Sequence, residues 1–390
     1  MYPLTVMLDT ADVVASVLPT VLDVRRAIHR HPELSKHEFA TTDLLASHLA
    51  EARLTPRLRT PKTGLSVDVG SEGPLVVFRA DLDALPITEP AGLPFASETS
   101  GVMHACGHDA HTAITLGLAL AWAQTANPRH VRFLFQPSEE VFPGGADEFV
   151  HEGAVTGARS IVAFHVDPHL PTGYIGVKPG AITSSADRFS ILLEGPGGHT
   201  ARPHETVDVI HAAGHLIANL SGTVDRLIDA RAPLVITFGQ VHGGTADNVI
   251  PTSVQLSGTV RTPDHDAWEL VPELIRRVAA ELSAPFGATV EVRYNRGLPP
   301  VVNDPALVAR LVPAIERALG PETVTSTYTS MGGEDFALYL SEAPGALFRL
   351  GCATDMARTN DLHSASFMFD EAALEVGLRA GLGILRELTS

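Results

Sequence analysis

Only two cysteines occur in 390 residues, Cys106 and Cys352. That is too few for a disulfide framework and fits a reducing compartment, so at least one of them needs another explanation. Basic residues are also scarce. The 28 Lys and Arg face 45 Asp and Glu, and a net charge of −17 disfavours phosphate backbones and anionic membrane surfaces, which need clustered cations. Neither nucleic acid nor membrane is therefore an expected partner. No stretch approaches the roughly 18 uninterrupted apolar residues of a membrane span. The opening MYPLTVMLDTADVV has no basic n-region and meets Asp9 and Asp12 before any long apolar run, unlike a signal peptide. The expected compartment is the cytoplasm.

What is present argues for two domains, because 390 residues exceed the size at which one hydrophobic core stops growing. Apolar spacing of three and four predicts helices over about 13–30 and 37–52. The short apolar runs 75–80, 131–136 and 161–166 read as strands, with a helix over 111–123 between them. Strand–helix alternation predicts a largely parallel sheet of α/β type, covered on both faces, with its chemistry on loops at the strand C-terminal ends. Between 185 and 295 the order changes to strand (189–194), helix (206–220), strand (234–241), strand (254–261), helix (267–283), strand (289–293). That is a ferredoxin-like βαββαβ unit inserted into a first domain of residues 1–184 and 296–390. Gly180 and the Pro299–Pro300 pair are the expected hinges, and a last helix is expected over 371–388.

Histidine is plentiful, 18 in all, and several stand in short Gly-rich or acidic contexts. MHACGHDAHTA (103–113) puts Cys106, His108, Asp109 and His111 within six positions. Thiolate and imidazole are preferred ligands of zinc-like metals, and a C-x-H pair on a turn can aim both donors at one point. Alone, the pair reads more readily as a buried cysteine beside surface histidines. However, strand 131–136 leads into QPSEE with Glu139 and Glu140, strand 161–166 ends at His165, and LHS (362–364) adds His363. Four loops of one sheet thus offer Cys106, His108, Glu140, His165 and His363. Five donors exceed one tetrahedral ion, so a two-metal centre is the economical reading, with Glu139 left over as general base.

These stretches together resemble the M20 metallopeptidases, in particular the amidohydrolase branch of aminoacylases, hippurate hydrolases and auxin-conjugate hydrolases. The likeness runs through HPELSKHE (31–38), FRADLDALPI (78–87), MHACGHDAHTA (103–113), FQPSEE (135–140), GPGGHTARPH (195–204), GGTADNVIP (243–251), GTVRT (258–262), MGGEDFA (331–337) and LHSASFMFDE (362–371). It implies a zinc-exopeptidase-like α/β/α catalytic domain whose inserted domain serves as lid and dimerisation module. Carried onto this chain, Cys106, His108, Glu140, His165 and His363 bind two divalent ions and Glu139 shuttles a proton. A bridging thiolate at Cys106 is a further expectation. Related branches have a His-x-Asp motif where this chain has Asp81-Leu82-Asp83, so both aspartates are expected to orient ligands, Asp83 foremost.

From the lid, the resemblance implies that a histidine matching His199 reaches a partner's site to stabilise an oxyanion, while Asn248 and Arg261 contact substrate. Gly332 and Gly333 suit close approach of backbone to substrate. LHSASFMFDE departs from the family pattern at Ala365 and Met368, where Pro and Asp are expected, which bears on loop shape but leaves His363 in place. The implied reaction is hydrolysis of an N-acyl amino acid (N-acetyl, N-benzoyl or similar). Zinc is favoured by the thiolate, with manganese, cobalt and nickel also compatible. Three alternatives remain on sequence grounds: a dipeptidase or carboxypeptidase of the same chemistry, a non-catalytic binding protein, and an amidase using Cys106 as nucleophile.

Overall fold

A computed structural model describes residues 10–90, 92–356 and 360–390; the start from which the lack of a signal peptide is read lies mostly outside them. The chain packs as two compact units. One comprises the described residues up to Gly180 with Val302–Tyr328 and Leu338–Ser390, and the other is Ala181–Val301 with Thr329–Ala337. The breaks fall within a few residues of Gly180 and Pro299–Pro300, and the MGGEDFA segment belongs to the inserted unit.

The first unit is built on an eight-stranded sheet in the order Arg57–Leu58, Leu65–Val69, Arg129–Gln136, Glu72–Asp81, Ala158–Pro171, Gly345–Ala353, Ile175–Val177, Val324–Ser326. The four central strands are mutually parallel, and antiparallel pairs flank them on both sides. Central strands read as continuous apolar runs because both their faces are buried. Helix Thr10–Arg30 buries Val13, Val14, Val17, Val21, Val24 and Ile28, one stripe at three- and four-residue spacing. It packs with helix Ala372–Thr389 on helix His108–Ala123, which is buried almost all round.

One boundary differs from expectation and bears on the site. Strand Ala158–Pro171 does not end at His165, because its parallel pairing with Gly345–Ala353 continues past that residue and, through an irregularity, reaches Pro171. His165 is therefore held by ladder bonds on rigid backbone rather than on a loop.

The inserted unit contains strands Ala186–Glu194, Val235–Gly243, Ser253–Arg261 and Thr289–Leu298 with helices Val209–Asp225 and His265–Ser283. The strands form an antiparallel sheet in the order second, third, first, fourth, as a βαββαβ unit requires. Asp208 and Asp264 cap the two helices by accepting the His211 and Ala267 backbone N–H groups. Phe189, Ile191 and Leu193 alternate inward against Leu216, Leu220, Val271 and Ile275.

Candidate metal centre

The C-terminal ends of adjacent parallel strands converge on one cluster of donors. Glu72–Asp81 leads into Asp83, Arg129–Gln136 leads into Glu139 and Glu140, and Ala158–Pro171 carries His165. Cys106 and His108 flank Gly107, the residue before helix His108–Ala123, whose φ is +79°. A Cβ on Gly107 would meet Val166 Cγ2 at 2.4 Å, so only glycine lets this turn press against the sheet.

All five expected ligands come together. Donor atoms of Cys106, His108 and His165 lie within 4.8 Å of one another, as do those of Cys106, Glu140 and His363. Cys106 belongs to both triads, which suits a thiolate shared between two ions. Glu139 forms a third group with His108 and Glu140.

Hydrogen bonds fix which ring nitrogen each histidine presents. His108 Nδ1 donates to the Asp83 main-chain oxygen at 2.8 Å, and His165 Nδ1 donates to Val166 O at 2.8 Å. Both rings thus turn Nε2 inward, and His165 Nε2 lies 3.6 Å from Cys106 Sγ. His108 Nε2 is buried with no hydrogen-bond partner, and the enclosed Glu140 Oε1 faces His363 Nε2 at 3.3 Å. Buried polar atoms are seldom left unpaired. An orphaned imidazole nitrogen among thiol, imidazole and carboxylate donors matches what zinc-like ions take, so the residues present fit such a group.

The surroundings explain the protonation directions. Burial pushes the Cys106 thiol up to about 12, with the Glu140 charge adding to the effect. An activated nucleophilic cysteine would be shifted the other way, which disfavours a cysteine amidase. Burial also holds His165 well below its ordinary value. For His108 burial acts downward too, but the Asp81 and Cys106 charges outweigh it and the net direction is up. A hydrogen bond to Glu140 raises His363.

Behind the donors lies a layer of support. Asp83 accepts the backbone N–H of Glu139 and of Glu140, one on each oxygen at 3.0 Å, and the Ser35 hydroxyl at 2.6 Å. One carboxylate thus positions both the candidate base and a candidate ligand. Asp81 is engaged elsewhere: His111 Nδ1 donates to Oδ1 at 2.6 Å and Arg79 donates to Oδ2 at 2.7 Å. His111 Nε2 in turn accepts the Val166 N–H at 2.9 Å, so Asp81 steadies the backbone beside His165 through His111.

Two supports escape sequence reasoning. Glu38, fully buried, accepts the Ser138 N–H at 2.7 Å, so three successive amides from 138 to 140 are held by two carboxylates. A second network of Arg25, His29 and Asp109 ties helix Thr10–Arg30 to the turn carrying His108. The signal for Glu38 was its place in HPELSKHE, but nothing in the spacing tells what an acid there would hold. Ser138 and His363 have positive φ, at 58° and 59°, two of six such non-glycine residues among those described. Such strain persists where surrounding contacts over-determine it and clusters at functional sites.

In the inserted unit the expected residues form two local groups. His199 pairs with Val249 in a two-residue ladder next to Asn248, whose main-chain oxygen accepts the Thr200 N–H at 3.3 Å; both side chains are exposed. Arg261, at the end of strand Ser253–Arg261, lies beside Gly333, where a Cβ would meet Ala186 Cβ at 2.7 Å and stand 3.5 Å from Arg261 Nη1. Gly332 accepts the Ser184 N–H at 3.1 Å through its carbonyl.

A Cys/His/Glu cradle with a spare carboxylate, set at the C-terminal edge of a parallel sheet, defines a metal-dependent hydrolase. The chain belongs to peptidase family M20/M25/M40, whose family model matches residues 77–387. It is 40% identical over 364 residues to the N-acetylcysteine deacetylase of Bacillus subtilis (strain 168), covering 91% of this chain and 93% of that protein. With the N-acetyldiaminopimelate deacetylase of Shouchella clausii (strain KSM-K16) it shares 37% over 365 residues, 92% of this chain and 95% of the relative. A crystal structure of a Bacillus subtilis dinuclear metal binding peptidase from the M20 family superposes with a TM-score of 0.84 at 37% identity, over 96% of this chain and 100% of that one. The chain is also 44% identical over 367 residues to a Rhodococcus jostii (strain RHA1) protein bearing the name glutamate–cysteine ligase 2-3, but spans just 46% of its length.

Proposed function

We propose that the chain is a two-metal amidohydrolase that cleaves N-acyl amino acids, with N-acetyl groups foremost, to a carboxylic acid and a free amino acid. The observation that carries this reading is the buried, unpartnered His108 Nε2 inside a cradle whose other donors are Cys106, Glu140, His165 and His363. The deacetylase names of the two full-length relatives support the substrate class.

These five residues would hold two divalent ions, zinc being the best match to the thiolate, with manganese, cobalt and nickel as other candidates. When bound, such ions supply an activated water and polarise the carbonyl under attack. The chain's own groups do the rest. Glu139, positioned through its amide by Asp83, takes a proton from the attacking water and delivers it to the departing amine nitrogen. Asn248 and Arg261 bind the substrate, with Gly332 and Gly333 leaving its path open. His199 donates to the developing oxyanion.

We further propose that the protein works in the cytoplasm as a homodimer paired through the inserted unit, one copy's His199 serving the other's centre. In support, His199 is exposed, and strand Val235–Gly243 is a sheet edge with Val235 and Val241 in solvent. Among the described residues no helix is long and apolar enough to cross a membrane.

The test strips the protein with a chelator and restores zinc, manganese, cobalt or nickel singly against N-acetyl, N-benzoyl and long-chain N-acyl amino acids. Metal-dependent release of free amino acid is expected. Hydrolysis indifferent to metal removal would overturn the reading.

A further inference from the structure

Arg349 is a buried cation with no hydrogen-bond or ion-pair partner among the described residues. It lies in strand Gly345–Ala353 and is 6% exposed, and its Nε is enclosed and unpaired. No hydrogen bond or ion pair from a described residue reaches its guanidinium. The other buried arginines of the same unit are matched: Arg25 with Asp109 at 2.8 Å, Arg59 with Glu148 and Glu152, Arg79 with Asp81 at 2.7 Å. Arg349 is the exception.

Its position is informative. The parallel register sets Arg349 directly beside His165, so the two side chains leave the sheet on the same face. Its charge, after burial and His111, is among the influences that lower His165. Gly176 on the next strand makes room: a Cβ there would meet Arg349 Cβ at 3.0 Å and Thr327 Cβ at 3.1 Å. Tyr328, half-exposed, feels both Arg349 and Asp167. Asp167, which shares Tyr328 as a neighbour with Arg349, already accepts the His169 N–H on Oδ1 at 2.8 Å.

A buried arginine with an enclosed, unpaired Nε is unfavourable in itself, and a site fitted for two metal cations alongside makes it more so. Such a group is stabilised by an anion, and guanidinium matches a carboxylate better than any other common anion of small metabolites save phosphate. We infer that Arg349 is a specificity-determining residue that binds a second carboxylate of the substrate, one remote from the scissile amide. This rests on the amidohydrolase reading and narrows it to N-acyl amino acids that are diacids. The second carboxylate can stand on the amino-acid side chain or end the acyl chain.

The experiment compares metal-loaded wild type, Arg349→Met and Arg349→Lys on N-acetylmethionine, N-acetylglutamate and N-succinylmethionine. Wild type is expected to prefer one of the two diacids by roughly 10- to 100-fold in kcat/KM, the worth of one charge-assisted contact, and which diacid wins tells the two sources apart. Arg349→Met should abolish the preference while leaving N-acetylmethionine within about threefold, and Arg349→Lys should retain part of it. No preference in wild type, or equal loss on all three substrates in Arg349→Met, overturns the inference in favour of a packing role. Calorimetry with glutarate, a simple dicarboxylate, separates the two readings. Weaker glutarate binding by Arg349→Met without turnover of any substrate would sink the amidohydrolase reading and keep the subsite. Hydrolysis of N-acetylmethionine with equal glutarate binding by both proteins would do the reverse.

Discussion

The two units hold their candidate residues in opposite ways. In the sheet unit, Cys106, His108 and His165 are buried, both of these imidazoles have their outer nitrogen pinned by a main-chain oxygen, and of the five candidate donors only His363 is exposed. In the inserted unit, His199 and Asn248 are exposed, and the His199 ring accepts the Ala201 N–H of its own turn at 3.1 Å. The first set is organised before any ligand arrives, so binding an ion costs little reordering. The second set lacks that support, which suits the proposed recruitment by substrate or a second copy. Burial separates a prepared centre from groups recruited in use.

Breaking the prepared side should have the largest effect. His165→Ala and Cys106→Ser each remove a donor from a shared cradle, so metal content should fall for both positions together. Turnover should drop by about three orders of magnitude or more. Elemental analysis of the purified variants checks this, and full metal content in either would remove that residue from the ligand set. Glu139→Gln keeps every donor and the Asp83 contact to its amide. It should lower kcat by at least about two orders of magnitude at unchanged metal content.

His199→Ala tests the recruited side. Loss of one oxyanion donor is worth roughly two to three orders of magnitude in turnover, here without loss of metal. Mixing His199→Ala with Glu139→Gln under subunit exchange sharpens the contrast, because a heterodimer contains one site with both native groups. Activity should reappear. Verified heterodimers that stay inactive would mean that His199 acts within its own chain or not at all.

How much of this could be read from residues alone follows the same division. That the five candidate donors and Glu139 gather in one place was legible because thiol, imidazole and carboxylate recur at strand ends, where an α/β sheet places chemistry. The βαββαβ order was legible because hydrophobic period changes from 2 to 3.6 and back. His165 was found for a partly mistaken reason, since ladder pairing carried its strand beyond the apolar run to Pro171. Glu38 and Arg349 were not legible. Glu38 acts across 100 residues on Ser138, and only the folded register shows that Arg349 adjoins His165 and lacks the counter-charge given to Arg25, Arg59 and Arg79.

A milder break lies one layer behind the metal. Asp83→Asn leaves all donors in place but replaces one acceptor of the two amides at 139 and 140 with an NH2 group that cannot accept. Metal affinity should fall by about 10- to 100-fold, the usual effect of losing an outer support. Titration with a competing chelator measures it, and unchanged affinity would make Asp83 dispensable.

The smallest effect on activity, and the most specific to one group, belongs to Glu38. Its carboxyl is fully buried, and burial pushes it up to about 7, with the Asp83 charge adding and the Ser138 amide opposing. The unfolded value is near 4.5. Between these values the folded protein binds more protons than the unfolded one, so this group's contribution to stability declines as pH rises through that window. A difference of about 2.5 units corresponds to about 3 kcal/mol at full ionisation. Asp81 and Asp109 act in the opposite sense: their folded values are lowered by neighbouring cations, so their stabilisation is lost as pH falls below the ordinary carboxylate range. Glu38→Gln keeps an oxygen for the Ser138 N–H and cannot ionise. Urea unfolding of wild type and variant at pH 5, 6, 7 and 8 should therefore give a stability difference that moves in favour of the variant by about 3 kcal/mol across the series, since contributions common to both proteins cancel. A difference that stays constant with pH would show that Glu38 is charged throughout, and the 138–140 turn would then rest on two ionised carboxylates instead of one.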